Sequence, residues 1–185
     1  MDIEEIFDRI CQHFITKKEY FKVFGDKDHL LAMEGWINGE IIWLLHQPNM
    51  KEYDLFVASR KGIESGTKSR RPDLQLKISN QDIFVELKAL LLVPCSHTWD
   101  YVIVRQLVAE FNSLSSMKNE NKSSWFISFT YPLTETHNWK DFVDQAKKNK
   151  KIDFHNYCVK EVKNKPFDIG CNQKCLISLF GLQQP

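Results

Sequence analysis

The sequence predicts a single mixed α/β domain, because helical and strand patterns alternate along its 185 residues. Apolar residues make up 43 % of the chain and charged residues 26 %, a composition that suits a globular domain with a buried core. Lys and Arg number 25 against 24 acidic residues. This balance excludes histone-like and strongly acidic proteins. Nucleic-acid binding stays open, because it needs only a local basic surface.

The order of elements follows from the spacing of apolar residues. Two helices come first, at 3–14 after an Asp2 N-cap and at 29–46. The predicted segments that follow are, in order, strand 55–59, basic loop 60–71, strand 74–78, turn 80–81, strand 83–91, helix 99–117, strand 125–131, helix 139–149, and strands 156–162 and 176–182. Gly35 and Gly39 each weaken the second helix by about 1 kcal/mol relative to Ala, so another requirement must favour them there.

Several features predict a cytoplasmic protein without a membrane association. No apolar run approaches the roughly 18 residues of a membrane-spanning helix. The acidic start Met-Asp-Ile-Glu-Glu is unlike a secretory signal, and an odd number of cysteines, five, favours free thiols. Cys171 and Cys175, with Cys158 and His155, have a spacing that structural zinc permits. The apolar strand that begins at Cys175 favours a buried thiol instead.

The informative motif is Pro72-Asp73, followed after twelve residues by Glu86-Leu87-Lys88. In a strand, Glu86 and Lys88 point to the same face. A hairpin that turns at 80–81 sets Asp73 opposite Lys88 and makes Asp73 and Glu86 diagonal neighbours on that face. Two adjacent carboxylates repel each other, and a hard divalent cation such as Mg²⁺ removes that repulsion. With an ammonium beside them, they form a set of groups suited to phosphodiester hydrolysis.

These residues resemble the motif of the PD-(D/E)xK nuclease superfamily, which has the restriction-endonuclease-like fold. The resemblance implies an α-β-β-β-α-β core, a mixed central sheet flanked by helices, with extra C-terminal strands in this chain. It covers about 29–131 and leaves 132–185 as a C-terminal extension. It also implies dependence on Mg²⁺, for which Mn²⁺ can substitute. Asp73 and Glu86 then bind the metal, and Lys88 positions or activates the attacking water.

The superfamily also has a glutamate on the helix before its first core strand, and here Glu34 and Glu40 compete for that role. Glu40 is favoured because apolar residues surround it and the helix ends shortly after it. The expected metal ligands are therefore Asp73, Glu86 and Glu40. Gln106, on the helix after the motif strand, corresponds to a polar helper residue in some members.

A basic segment precedes the motif. Five basic residues stand against one acidic residue between positions 60 and 71: Arg60, Lys61, Lys68, Arg70 and Arg71. Such side chains suit contacts to the phosphates that flank a scissile bond, although a solvated loop explains them equally well. A second lysine-rich segment, 147–165, is better explained as a solvated surface.

Together these observations predict an Mg²⁺-dependent endonuclease that acts on DNA, with RNA as a substrate left open. We expect a homodimer, because one active site cuts one strand. The alternative is a catalytically inactive nucleic-acid-binding or assembly module on the same fold. A third interpretation is a protein-interaction domain whose hairpin has an ordinary salt-bridged face. Glu-x-Lys alone decides nothing, since it recurs at Glu120 and Glu161.

Overall fold

The computed structural model describes residues 2–24, 30–50, 72–78, 81–92, 97–116, 122–135, 137–148 and 158–183. The elements are α1 (Ile3–Thr16), α2 (Lys18–Phe24), α3 (Leu30–Leu45), a 3-10 turn (Pro48–Met50), β1 (Leu74–Ile78), β2 (Gln81–Leu91), α4 (His97–Ser116), β3 (Lys122–Leu133), α5 (Trp139–Lys147), β4 (Cys158–Gly170) and β5 (Gln173–Gln183). The mixed α/β prediction is confirmed. The predicted strand 55–59 and the basic loop 60–71 lie outside the described residues.

The five strands form one mixed sheet in the order β1-β2-β3-β5-β4. β2 and β3 are parallel, and α4 connects them, as a parallel crossover requires. The other neighbouring pairs are antiparallel. Because β5 lies between β3 and β4, the two C-terminal strands belong to the same sheet as the motif hairpin.

Apolar side chains on the two faces of the sheet form two core clusters. One cluster joins α1, α2 and α3 to the face that carries Leu74, Val85 and Phe129. The other joins α4 and α5 to the face that carries Phe126 and Phe180. The motif hairpin therefore lies between a helical layer on each side. Within the described residues, no helix has both the length and the apolar character needed to cross a membrane.

The two N-terminal helices differ in how clearly the sequence marks them. In α1 a capping box links Asp2 and Glu5: each backbone N–H donates to the other's carboxylate, at 2.8 and 2.9 Å. No apolar pattern in the sequence predicts α2, which has seven residues. Its one buried side chain among those described, Phe21, lies 5.6 Å from Trp36 and 5.5 Å from Tyr131 between ring centroids. One buried residue cannot produce a detectable helical period.

The hairpin register corrects the predicted turn. Leu74 pairs with Val85 and Ile78 pairs with Gln81, so Gln81, which was predicted in the turn, belongs to a strand. The predicted partners were wrong by two residues. A shift of two keeps every side chain on its expected face, because side-chain direction alternates with a period of two. Continued by one residue, the observed register sets Asp73 beside Glu86 rather than opposite Lys88.

Gly181 of β5 fills a position where a larger residue has no room. It faces Trp125 of β3, and a Cβ at Gly181 would lie 2.6 Å from Cζ3 of the indole. We predict that Gly181→Ala lowers the free energy of unfolding by about 1–3 kcal/mol, because the indole must leave its position. Chemical denaturation monitored by circular dichroism measures the change.

Gly39→Ala is the matched control. A Cβ at Gly39 meets nothing within 4 Å, so this change should raise stability by up to about 1 kcal/mol through helix propensity. Equal stability of the two variants would contradict the described packing of Trp125.

Candidate functional site

A side-chain hydrogen bond fixes Asp73 at the start of the hairpin. Its Oδ2 accepts from the backbone N–H of Leu87 at 2.8 Å. β1 has five residues and β2 has eleven, so Asp73 lies where the β1 ladder ends and β2 continues. The carboxylate accepts a hydrogen bond that a backbone carbonyl would otherwise accept. Asp73 is thereby fixed against the segment that carries Glu86 and Lys88.

Lys88 forms an ion pair across the site. Its Nζ lies 2.6 Å from Oε1 of Glu34 on α3, with 28 % and 39 % of the two side chains exposed. Ion pairs this exposed contribute little to stability, typically below about 1 kcal/mol. Either group can therefore exchange its partner for a ligand at small cost.

The site opens as a cavity of about 260 Å³, which we call the acidic cavity. It lies between α3 and α4, at the end of the β1 ladder. Among the described residues, its polar lining includes four carboxylates, one ammonium and one hydroxyl, from Glu34, Asp73, Glu86, Glu110, Lys88 and Ser113. When these groups are ionised, the described part of the lining carries more negative than positive charge. It therefore favours a cation.

Of the two helix glutamates, the structure brings Glu34 to Asp73. Glu40 instead joins α1 to α3: its Oε2 lies 2.7 Å from Nε2 of His13, and Trp36 donates to its Oε1 at 3.2 Å. Lys17 adds a weaker contact at 3.5 Å. The expectation that Glu40 completes the metal shell is therefore not supported by its position. Glu34 replaces it in the proposal below.

The helix after the motif contributes a different residue from the one expected. Gln106 of α4 does not line the acidic cavity, whereas Glu110, one helical turn further on, does. The sequence reasoning missed Glu110. The signal was available, since residues four apart on a helix share a face.

The predicted phosphate-binding residues Arg60, Lys61, Lys68, Arg70 and Arg71 lie outside the described residues. The second lysine-rich segment is partly described, and its β4 part is on the sheet edge opposite β1.

A β-bulge lies between the glutamate and the lysine of the competing Glu-x-Lys motif at 161–163. Trp139 of α5 donates to Oε1 of Glu161 at 2.8 Å. On the other face of the sheet, Lys163 lies 2.8 Å from Oδ2 of Asp8 on α1. The two side chains therefore point to opposite faces and cannot share a ligand, unlike Glu86 and Lys88.

Of the four residues whose spacing permits a zinc site, His155 lies outside the described residues, and the structure places Cys158 and Cys171 far apart. Cys158 begins β4 and Cys171 lies in the turn after it, so about 40 Å of extended strand separates them. Cys175 is buried in the core, and burial raises the pKa of its thiol. This agrees with the interpretation of Cys175 as a packed free thiol.

Comparison of the chain with protein-family models, with curated proteins and with solved structures finds no match.

The contacts of Glu40 predict that its contribution to stability depends on pH. Partial burial opposes ionisation of Glu40, but the hydrogen bond from His13 and the Lys17 ammonium hold the pKa of Glu40 below its ordinary value of 4.5. A pKa lowered on folding stabilises the fold above the unfolded-state value, and this stabilisation is lost as pH falls through the folded-state value.

We predict that Glu40→Gln lowers the free energy of unfolding by about 1–2 kcal/mol near neutral pH, because a charge-assisted hydrogen bond is lost. The difference from wild type should shrink as the pH falls below 4.5. Urea titrations at several pH values measure it. Glu34→Gln, on the same helix, is the control and should change stability by less than about 1 kcal/mol. A pH-independent effect of Glu40→Gln would contradict the proposed role of its charge.

Proposed function

We propose that this protein is an Mg²⁺-dependent nuclease that hydrolyses phosphodiester bonds of DNA. The observation that carries the proposal is the arrangement at the end of the β1 ladder. Asp73 is held against β2 beside Glu86, and Lys88 and Glu34 line the same cavity. An incidental salt-bridged hairpin does not require a carboxylate fixed by a backbone amide at the mouth of a cavity.

The donor set suits a hard divalent cation. Carboxylate oxygens are the ligands that Mg²⁺ prefers, and it commonly uses one or two of them and keeps several waters. Among the residues that the structure describes, no three acidic, histidine or cysteine side chains are arranged to hold a metal ion as they stand. Glu34 is engaged by Lys88. Binding with Glu34 as a ligand therefore requires its side chain to turn from the ammonium toward Asp73 and Glu86.

The chain's own groups then divide the chemistry. The chemistry that Mg²⁺ would supply at this site is that of a Lewis acid, which would polarise a phosphoryl oxygen and lower the pKa of a bound water. Asp73, Glu86 and Glu34 supply the negative charge that holds the cation. Lys88, released from Glu34, presents an ammonium that stabilises the attacking water or the charge that develops on the phosphoryl group. Glu110 extends the acidic wall on the α4 side.

The topology supports a restriction-endonuclease-like core. The described order α3, β1, β2, α4, β3 agrees with the expected α-β-β-β-α-β pattern except for one strand, and the strand predicted at 55–59 lies outside the described residues. The antiparallel β1–β2 pair and the parallel β2–β3 pair flank the motif. Cleavage of RNA, the homodimer and the cytoplasmic location stay predictions.

We predict that the wild-type protein nicks supercoiled plasmid in Mg²⁺ or Mn²⁺, and that Asp73→Asn and Lys88→Met each reduce the rate by about 100-fold or more. Asp73→Asn removes a metal ligand, and Lys88→Met removes the ammonium. Gel assays with plasmid, branched DNA and single-stranded DNA and RNA measure the rates. Lys163→Met, which removes an ammonium at the opposite edge of the sheet, is the matched control and should leave the rate unchanged.

Measurements of Mn²⁺ binding distinguish the role of Asp73 as a metal ligand from the role of Lys88 as an ammonium. Asp73→Asn should weaken binding, whereas Lys88→Met should tighten it by up to about fivefold, because Glu34 loses its competing ion pair. Cleavage that survives both substitutions would contradict the site assignment. Intact Mn²⁺ binding without cleavage of any substrate would instead support the inactive nucleic-acid-binding module.

A further inference from the structure

Buried serine and threonine side chains gather on one side of the sheet. Among the described residues, all of them belong to α4 or to the sheet face toward α4 and α5: Ser113, Ser124, Ser128, Thr130 and Ser178. Those on β3 share their face with Phe126, and Ser178 shares it with Phe180, because side chains two residues apart in a strand point the same way. The core cluster on the opposite face has no buried serine or threonine among the described residues.

Three of these hydroxyls are fully buried and have no hydrogen-bond partner among the described residues. They belong to Ser128, Thr130 and Ser178, whose side chains are 0 % exposed. The side chains that α4 contributes to the core above them are apolar: Ile103, Leu107, Val108, Phe111 and Leu114. A hydroxyl that loses its water without gaining a partner opposes the contact that buries it.

The register arranges the hydroxyls in a row that begins at the acidic cavity. Lys88, which lines the acidic cavity, pairs with Ser128, and Ser128 pairs with Ser178. Polar residues therefore occupy one level of the sheet across β2, β3 and β5. α4 contacts all three strands. We call Ser128, Thr130 and Ser178 the hydroxyl row.

An aromatic contact holds α4 on the same face. The ring centroid of Phe111 lies 5.2 Å from that of Phe180 and 6.3 Å from that of Phe126. Beside Phe111 in the helix, Glu110 and Ser113 line the acidic cavity. One wall of the acidic cavity is thus a helix whose contact with the sheet combines favourable aromatic packing with unfavourable burial of hydroxyls.

We propose that α4 is a movable wall of the acidic cavity, which separates locally from the sheet while the strands stay paired. When α4 separates, water reaches the hydroxyl row, and this hydration offsets part of the cost of exposing Phe111. The hydroxyl row thus favours opening, relative to apolar residues of similar size. The inference concerns the packing of α4 and does not depend on the proposed function.

Amide hydrogen exchange measured by NMR tests the proposal. After correction for intrinsic rates, the amides of Leu107 and Phe111 should exchange at least about 10-fold faster than those of Ile127 and Leu179 in the sheet, with a weaker dependence on denaturant, as expected for local opening. Thr130→Val keeps the shape of the side chain and removes the hydroxyl. It should slow exchange in α4 by about 5- to 30-fold, the range expected for one unsatisfied hydroxyl.

Ser178→Ala should slow exchange in α4 in the same way and provides an independent variant. Thr16→Val is the matched control, because the Thr16 hydroxyl of α1 donates to the His13 carbonyl at 2.6 Å. It should not slow exchange in α4. Equal exchange of α4 and the sheet in wild type, with the same denaturant dependence, would overturn the local opening. Unchanged exchange of α4 in both Thr130→Val and Ser178→Ala would overturn the role of the hydroxyl row, as would equal slowing by Thr16→Val.

Discussion

The hydrogen bond from the Leu87 amide to Asp73 is the interaction on which the candidate site depends. It lies where β1 ends, so a side chain continues the ladder that the backbone leaves. This fixes the Asp73 carboxylate beside Glu86 and directs it toward the space between α3 and α4. Without it, nothing else described would fix the Asp73 carboxylate against β2.

The two helical layers then determine the charge of the site. α3 contributes Glu34 and α4 contributes Glu110, so carboxylates approach the end of the hairpin from both faces of the sheet. Lys88 lies among them and pairs with Glu34. We interpret this ammonium as the cation that balances the site until a divalent cation replaces it at Glu34. The same lysine is then available to the substrate.

Local sequence patterns predicted much of the fold. There are physical reasons why they did not predict the rest. Alternation in 74–78 and the helical spacing in 3–14 depend on buried faces, so the sequence shows them directly. The sequence did not predict α2, because only Phe21 is buried among its described side chains. The register was wrong by two residues, because hydrophobic alternation fixes the face of a strand but not its partner. The choice between Glu34 and Glu40 depends on which face of α3 meets β2. The contact of Glu40 with His13 of α1 arises from tertiary packing, so the sequence does not show it.

The most direct test of the metal site is anomalous diffraction from crystals of the wild-type protein soaked in Mn²⁺. If the proposed metal site is right, we expect one strong anomalous peak from an ion bound by Asp73 and Glu86, with Glu34 turned away from Lys88 toward the ion. A peak elsewhere on the protein, with the Glu34–Lys88 pair intact and the acidic cavity empty at saturating Mn²⁺, would contradict it.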